Sequence, residues 1–271
     1  EPQDLNDRIG AANHQMTRDR EAAARVQRSL LPAEEQLTFD CGEVAWRYVP
    51  CQGLAGDCLN GFKLDDEHIG LFVVDVSGPG VPSSLLSVTV GRFLTPKASD
   101  SSVLVRPGEN GGVIVVPPVE VATELNRQFQ AEDFSELYFT FVYCLVNTTT
   151  GQVRYTASGH PPVLRLPASG EAGFQTLHSL PIGFFPEAEY EEQTLQLEPG
   201  DRLYLYSDGV TEAMDKDLQQ FGDDALVEVV TLNRSRPLDA GVSELLETIQ
   251  AWCQPKGPLD DVSILGFEWK G

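Results

Sequence analysis

Long apolar runs are missing from this sequence. Its 271 residues hold nothing near the ~18 consecutive apolar side chains that a membrane-crossing helix needs. There is also no basic start followed by an apolar segment, the pattern of a signal peptide. Cations are scarce: 19 Lys and Arg face 41 Asp and Glu, for a formal net charge of −22. That balance argues against nucleic acid as a partner, because phosphate backbones are held by Lys and Arg. The five cysteines, Cys41, Cys51, Cys58, Cys144 and Cys253, fall in no CxxC or CxxH spacing. A zinc site or disulfide framework is thereby disfavoured, and a reducing cytoplasm fits. Cys144 stands inside an apolar run and is expected in the core. No EF-hand spacing occurs, which sets aside a calcium-loop protein. The chain starts at Glu1 rather than Met and is expected to be a fragment whose natural N terminus lies upstream.

What is present is enough to build a sizeable core, since 41% of the residues are hydrophobic. Residues 5 to 30 read as a helix. Leu5, Ile9, Ala12, Met16, Ala23, Val26 and Leu30 recur at three- and four-residue steps, with Asp19 the polar intruder. Two readings of that seam stand side by side: an amphipathic helix docked on its own domain, or a dimerising, signal-transmitting coiled coil. Leu31 and Pro32 should end it, because the residue before proline avoids the α region.

Strands dominate afterwards. They are expected near 44–49, 69–76, 138–146, 152–157, 163–166, 193–197, 202–206 and 262–267. Helices are expected at 82–93, 117–130, 223–232 and 239–253. The elements are grouped rather than strictly alternating, which indicates α+β. Residues 95 to 116, rich in Ser, Gly and Pro, read as a loop excursion. The expected organisation is an N-terminal linker helix over 1–32 and a single domain over 33–271.

The chemistry-bearing feature is where the acids fall. "LFVVDVSGPG" delivers Asp75 at the end of an apolar strand, and "LYLYSDGVTEA" delivers Asp208 and Gly209 in the same way. "PLDDVSILGF" places Asp260 and Asp261 just before a strand, and "LAGDCLNGF" places Asp57 after Gly56. A lone Asp-Gly is ordinarily a turn. Four sites at strand ends are harder to explain so, because a carboxylate at the edge of a buried sheet costs several kcal/mol unless compensated. No matching Lys or Arg appears in these segments. An all-oxygen set without Cys or a His cluster suits a hard divalent cation, Mg2+ or Mn2+. His160, in "SGHPPV", reads as part of a strand-turn device rather than a general acid, and His14, His68 and His178 read as surface residues.

These segments resemble, in order, the bacterial PPM-type metal-dependent serine/threonine protein phosphatases, in the subgroup of SpoIIE and RsbU. The resemblance covers roughly residues 22 to 268 and rests on "AARVQRSLLP", "GLAGDCLNGF", "DVSGPGVPSSLL", "VATELNRQF", "YFTFVYCLVN", "YTASGHPPVL", "LPIGFF", "LEPGDRLYLYSDGVTEA" and "LDDVSIL". It implies a central sandwich of two antiparallel β-sheets flanked by helices, with an N-terminal helical extension. It also implies a centre of two divalent cations, Mn2+ or Mg2+. Asp75 would bridge both ions, and the Val76 backbone carbonyl would help hold one. Asp57, Asp208 and Asp260 would supply carboxylates or bind metal-held water, with Asp261 a neighbour. Gly209 would let the backbone pass close to the ions.

The activity implied is hydrolysis of phosphoserine or phosphothreonine by direct attack of a metal-activated water, with no covalent phosphoenzyme. The implied partners are a phosphorylated STAS-type anti-sigma factor antagonist and an upstream receiver or sensor domain that acts through residues 5 to 30, with homodimerisation through that helix. The alternative is a pseudophosphatase that serves as a binding adaptor. Two departures bear on it: Asn60 stands where the family carries a second Asp, and Pro79 stands where it carries His.

Overall fold

The computed structural model describes residues 2–28, 31, 36–51, 53–99 and 101–271. Helix α1 (Pro2–Arg28) leads into strands β1 (Gln36–Phe39), β2 (Gly42–Val49), β3 (Cys58–Lys63) and β4 (His68–Val76). Helix α2 (Val81–Phe93), the hairpin β5 (Val105–Pro107) and β6 (Val113–Val115), and helix α3 (Pro118–Gln128) follow. Then come β7 (Phe139–Asn147), β8 (Gln152–Ser158), β9 (Val163–Leu166), β10 (Gly173–Gln175), β11 (Gln193–Gln196) and β12 (Arg202–Tyr206). The chain closes with α4 (Asp208–Thr211), α5 (Gly222–Leu232), α6 (Leu238–Trp252) and β13 (Val262–Trp269).

Two antiparallel sheets form the centre, one ordered β11-β8-β7-β4-β3 and the other β1-β2-β13-β12-β9-β10. Alternation along each strand assigns its side chains to layers. On β4, Ile69, Leu71 and Val73 enter the core between the sheets, with Leu59, Val142, Leu203, Leu205, Leu265 and Phe267. Phe72, Val74 and Val76 point the other way, onto Leu86, Val90, Val121 and Leu125 of α2 and α3. The outer face of the second sheet is covered by α5 and α6 through Leu226, Val230, Val242, Leu245 and Ile249. Helix, sheet, sheet and helix are thus stacked, as expected of an α+β sandwich. Both faces of each sheet are covered, which is why β4, β7 and β12 read as nearly unbroken apolar runs.

Two sequence expectations change. Residues 95–116 are more than a loop: β5 and β6 pair there, and Val103, Leu104, Val105 and Val116 are buried against α2 and α3. Ser, Gly and Pro supply the turns and conceal a short apolar hairpin. On α1, the seam residues Ile9, Met16 and Val26 are 49%, 61% and 64% exposed. The buried contact falls instead on a polar residue, Gln27. Leu5, Ala12 and Leu30 lie outside the residues whose side chains are described, and so does the expected boundary at residues 32 and 33. Among the described residues, no helix is long and apolar enough to cross a membrane.

Candidate metal centre

Strand parity brings the acids together. Asp75 is the next member of the Ile69–Leu71–Val73 row, so it occupies the end of the space between the sheets. Asp57 stands just before β3, two residues ahead of the core-facing Leu59. On the second sheet, Leu203 and Leu205 lead to Ser207, and Phe267 and Leu265 lead back to Ser263 and Asp261. The apolar core therefore turns polar at one end, where both sheets contribute.

A cleft of about 460 Å3 opens there, lined by Asp75, Val76, Thr140, Asp208, Asp260 and Asp261 among others. None of its described lining residues is Lys or Arg. Among the described residues, no Lys or Arg is ion-paired with any of the five carboxylates.

The acids are not equivalent. Asp57 is 2% exposed and lies behind the cleft; Ser263 Oγ donates a hydrogen bond to its Oδ2 at 2.6 Å. Burial first, and then the charge of Asp75, push its carboxyl well above the ordinary value. Asp75 is pushed up to about 7 by burial and then by Asp208 and Asp260. Asp208 is pushed up to about 6 by burial and then by Asp260. Each carboxyl holds its proton partly because the others are charged, as expected where negative groups converge without a cation.

Asp261 is raised as well, mainly by burial, yet its oxygens are already engaged. Oδ1 accepts from the Cys51 N–H at 2.8 Å and Oδ2 from the Gly56 N–H at 2.9 Å. It clamps the loop that carries Asp57.

Close backbone approach explains two glycines. A Cβ on Gly209 would collide with the Asp261 carbonyl oxygen, so its absence lets α4 pack against the start of β13. A Cβ on Gly56 would stand 2.6 Å from the Val76 carbonyl oxygen. Gly78 and Gly80 take positive φ of 79° and 93° in a turn that lines the cleft.

Several contributors carried no sequence signal. Cys51 Sγ and carboxylate oxygens of Asp260 and Asp261 lie within 4.8 Å of one another. Gln27 of α1 reaches the site's supporting loop: its Nε2 donates to the Ala55 carbonyl at 2.6 Å, and its Oε1 accepts from the Ala55 N–H at 3.1 Å. Thr140 stands opposite Asp75 in the β4–β7 register, and its hydroxyl lies 2.7 Å from His160 Nδ1. Burial pushes His160 down to about 3, which favours the neutral ring. His14 and His178 are exposed, while His68 is half-buried with Nδ1 3.0 Å from Asp65.

Asn60 projects with Cys58 and Phe62 from the helix-facing side of β3, into a cavity of about 90 Å3 that Asp57 also lines, with Gln27, Leu31, Ser87 and Arg92. It does not line the acidic cleft. Pro79 does, at its rim.

With this geometry established, relatives are informative. The family model described as stage II sporulation protein E (SpoIIE) matches residues 65–270. The chain is 31% identical over 198 residues to the phosphoserine phosphatase RsbU of Bacillus subtilis, covering 71% of this chain and 53% of that protein. It spans about half the length of the curated relatives it matches. Among solved structures, the SiaA-PP2C domain of Pseudomonas aeruginosa has a TM-score of 0.78 at 18% identity, covering 96% of this chain and 99% of that one. RsbX in complex with magnesium has a TM-score of 0.61 at 15% identity, covering 87% and 98%. Identities this low carry the fold alone. The match across residues 65–270 carries more: the chain belongs to the SpoIIE family, of the SpoIIE/RsbU kind of PPM-type phosphatases.

Proposed function

We propose that this chain is a metal-dependent protein serine/threonine phosphatase acting on phosphoserine or phosphothreonine of a regulatory partner protein. The observation that carries the reading is the convergence of Asp57, Asp75, Asp208 and Asp260 at one end of the sandwich, with no Lys or Arg paired to them among the described residues. Burial, and then their mutual charge, raise Asp57, Asp75 and Asp208, and carboxylates crowded in this way are a donor set suited to hard divalent cations.

In this reading Asp75, Asp208, Asp260 and the Val76 carbonyl would hold the ions from the open cleft, with Asp75 central, and Asp57 would act from behind. Asp261, spent on the Cys51 and Gly56 N–H groups, sets the loop. When bound, Mn2+ or Mg2+ supplies Lewis-acid activation of the water that attacks phosphorus and neutralises the phosphoryl charge. The chain's part is to hold its carboxylates fixed and close together, where a cation can displace their protons. The stiff sheets do this, together with the Ser263, Gly56 and Gly209 contacts. Positive charge for a dianionic phosphate must come from the ions, because the described cleft lining offers no Lys or Arg. No thiol is poised as a nucleophile: burial and nearby acids push Cys51 up to about 11.

The partner in this reading is a STAS-type anti-sigma factor antagonist or a similar phosphoprotein. An upstream receiver or sensor domain would act through α1, whose exposed seam offers a dimerising face and whose Gln27 touches the loop before Asp57. The relative RsbU, named a phosphoserine phosphatase, supports the substrate class. The test is Mn2+-dependent hydrolysis of an aryl phosphate, lost in Asp75→Ala and Asp208→Ala. Unchanged turnover in both variants would sink the metal mechanism, and no turnover by the wild type would favour the adaptor.

A further inference from the structure

A pair of aromatic side chains lies in solvent beside the acidic cleft, and the fold spends buried polar contacts to keep it there. Phe184 and Phe185 are 46% and 50% exposed and pack edge to face, with ring centroids 4.8 Å apart. Phe184 also packs edge to face on Tyr138, centroids 5.2 Å apart, and Tyr138 lines the cleft. The rings are thus continuous with the proposed phosphate site.

Their backbone is pinned. Asn126, 3% exposed on α3, donates from Nδ2 to the carbonyls of Phe185 and Pro186 at 3.0 and 3.3 Å, and its Oδ1 accepts from the Gly183 N–H at 2.7 Å. Gly183 has φ +84°, and a Cβ there would collide with the Phe129 carbonyl oxygen. Exposed rings on a rigid, hydrogen-bonded loop form a preorganised contact surface, since little side-chain or loop entropy is left to lose on binding.

Charge indicates what fits. Glu187 and Glu189 follow the rings in the same loop and are exposed. Exposed Glu132, Asp133 and Glu136 stand on the segment tied to that loop by the Ala131 N–H to Gly183 carbonyl bond. The platform is apolar in the middle and acidic around it. A second copy of this acidic chain, or an anionic lipid surface, would meet repulsion there.

We propose that Phe184, Phe185 and Tyr138 dock the phosphoprotein substrate itself, through an apolar patch bordered by Lys or Arg next to its phosphorylated residue. This rests on the phosphatase reading above and assigns how that site selects a protein. Two short phosphoserine peptides of equal length test it, one flanked by Leu and Lys and one by Gly and Glu, with p-nitrophenyl phosphate as a reference substrate. The wild type is expected to favour the Leu/Lys peptide by about tenfold in kcat/KM, through KM. In Phe184→Ala/Phe185→Ala, kcat/KM for that peptide relative to the reference falls by about tenfold, and the preference disappears. A wild type without preference, or a double variant that keeps it, overturns the docking proposal while the phosphatase reading stands. Absence of Mn2+-dependent turnover of p-nitrophenyl phosphate overturns both. Loss of a dimer by light scattering in the double variant, or loss of binding to phosphatidylcholine vesicles, assigns the rings to another occupant and overturns the proposal.

Discussion

Ser263 on the last strand donates its hydroxyl proton to Oδ2 of Asp57 at 2.6 Å, joining the six-stranded sheet to the mouth of the five-stranded one. Ser263 is fully buried, so removing its hydroxyl leaves the carboxylate with one partner fewer and no water to replace it. Ser263→Ala is expected to destabilise the fold by about 1–3 kcal/mol in urea titration. It should also weaken Mn2+ binding by about tenfold in calorimetry, as loss of a ligand's supporting contact does. Wild-type values for both would mean that Asp57 is held by other contacts.

The raised carboxyls give a signed pH dependence. Asp75 near 7 and Asp208 near 6 both lie above the ordinary 3.8, so the folded chain favours their protonated forms. Their contribution to stability is complete at low pH and lost as pH rises through about 6 and 7. In chelator, the melting temperature should fall between about pH 4 and pH 7, and fall less in Asp75→Asn, which cannot ionise. Mn2+ competes with these same protons, so its affinity should rise across that window. A metal-free Asp75→Asn chain with the wild-type pH profile would contradict the assignment.

Two glycines set backbone distances at the site. Gly56→Ala places a methyl group 2.6 Å from the Val76 carbonyl oxygen, and Gly209→Ala drives one into the Asp261 carbonyl. Each should cost about 1–3 kcal/mol, because the obstructing atom is backbone. Each should also lower aryl phosphate turnover, by displacing a proposed ligand or the neighbouring clamp. Thermal melts and steady-state kinetics check both effects.

Gln27 links α1 to the loop before Asp57 through two hydrogen bonds to Ala55, itself fully buried. Gln27→Ala leaves the Ala55 N–H and carbonyl without these partners and should cost about 1–3 kcal/mol. If α1 relays an upstream state, this variant should change kcat for aryl phosphate at saturating Mn2+. Unaltered kcat would leave α1 a docked helix with no influence on the site.

The long strands were legible because both faces of each sheet are covered, which turns β4, β7 and β12 into unbroken apolar runs. β3 was not, since Asn60 and Gly61 interrupt its pattern, and β1 and β10 are short edge strands with little burial. The aspartates were found through motifs at strand ends. Their supports were not, because Ser207, Ser263 and Gln27 become recognisable only when two distant segments are set side by side. Asn60 does not line the acidic cleft, yet it shares with Asp57 the cavity on the helix-facing side of β3, so a place three residues beyond Asp57 in the sequence did not reveal which pocket it enters.

The central claim is that Asp57, Asp75, Asp208 and Asp260 form one cage for divalent cations. Anomalous scattering from crystals soaked in Mn2+, collected on both sides of the manganese edge, tests it without recourse to activity. Paired peaks beside Asp75, within reach of Asp208, Asp260 and the Val76 carbonyl, and missing in Asp75→Asn crystals, are the predicted result. A cleft with no manganese signal, or one that Asp75→Asn leaves unchanged, would contradict it.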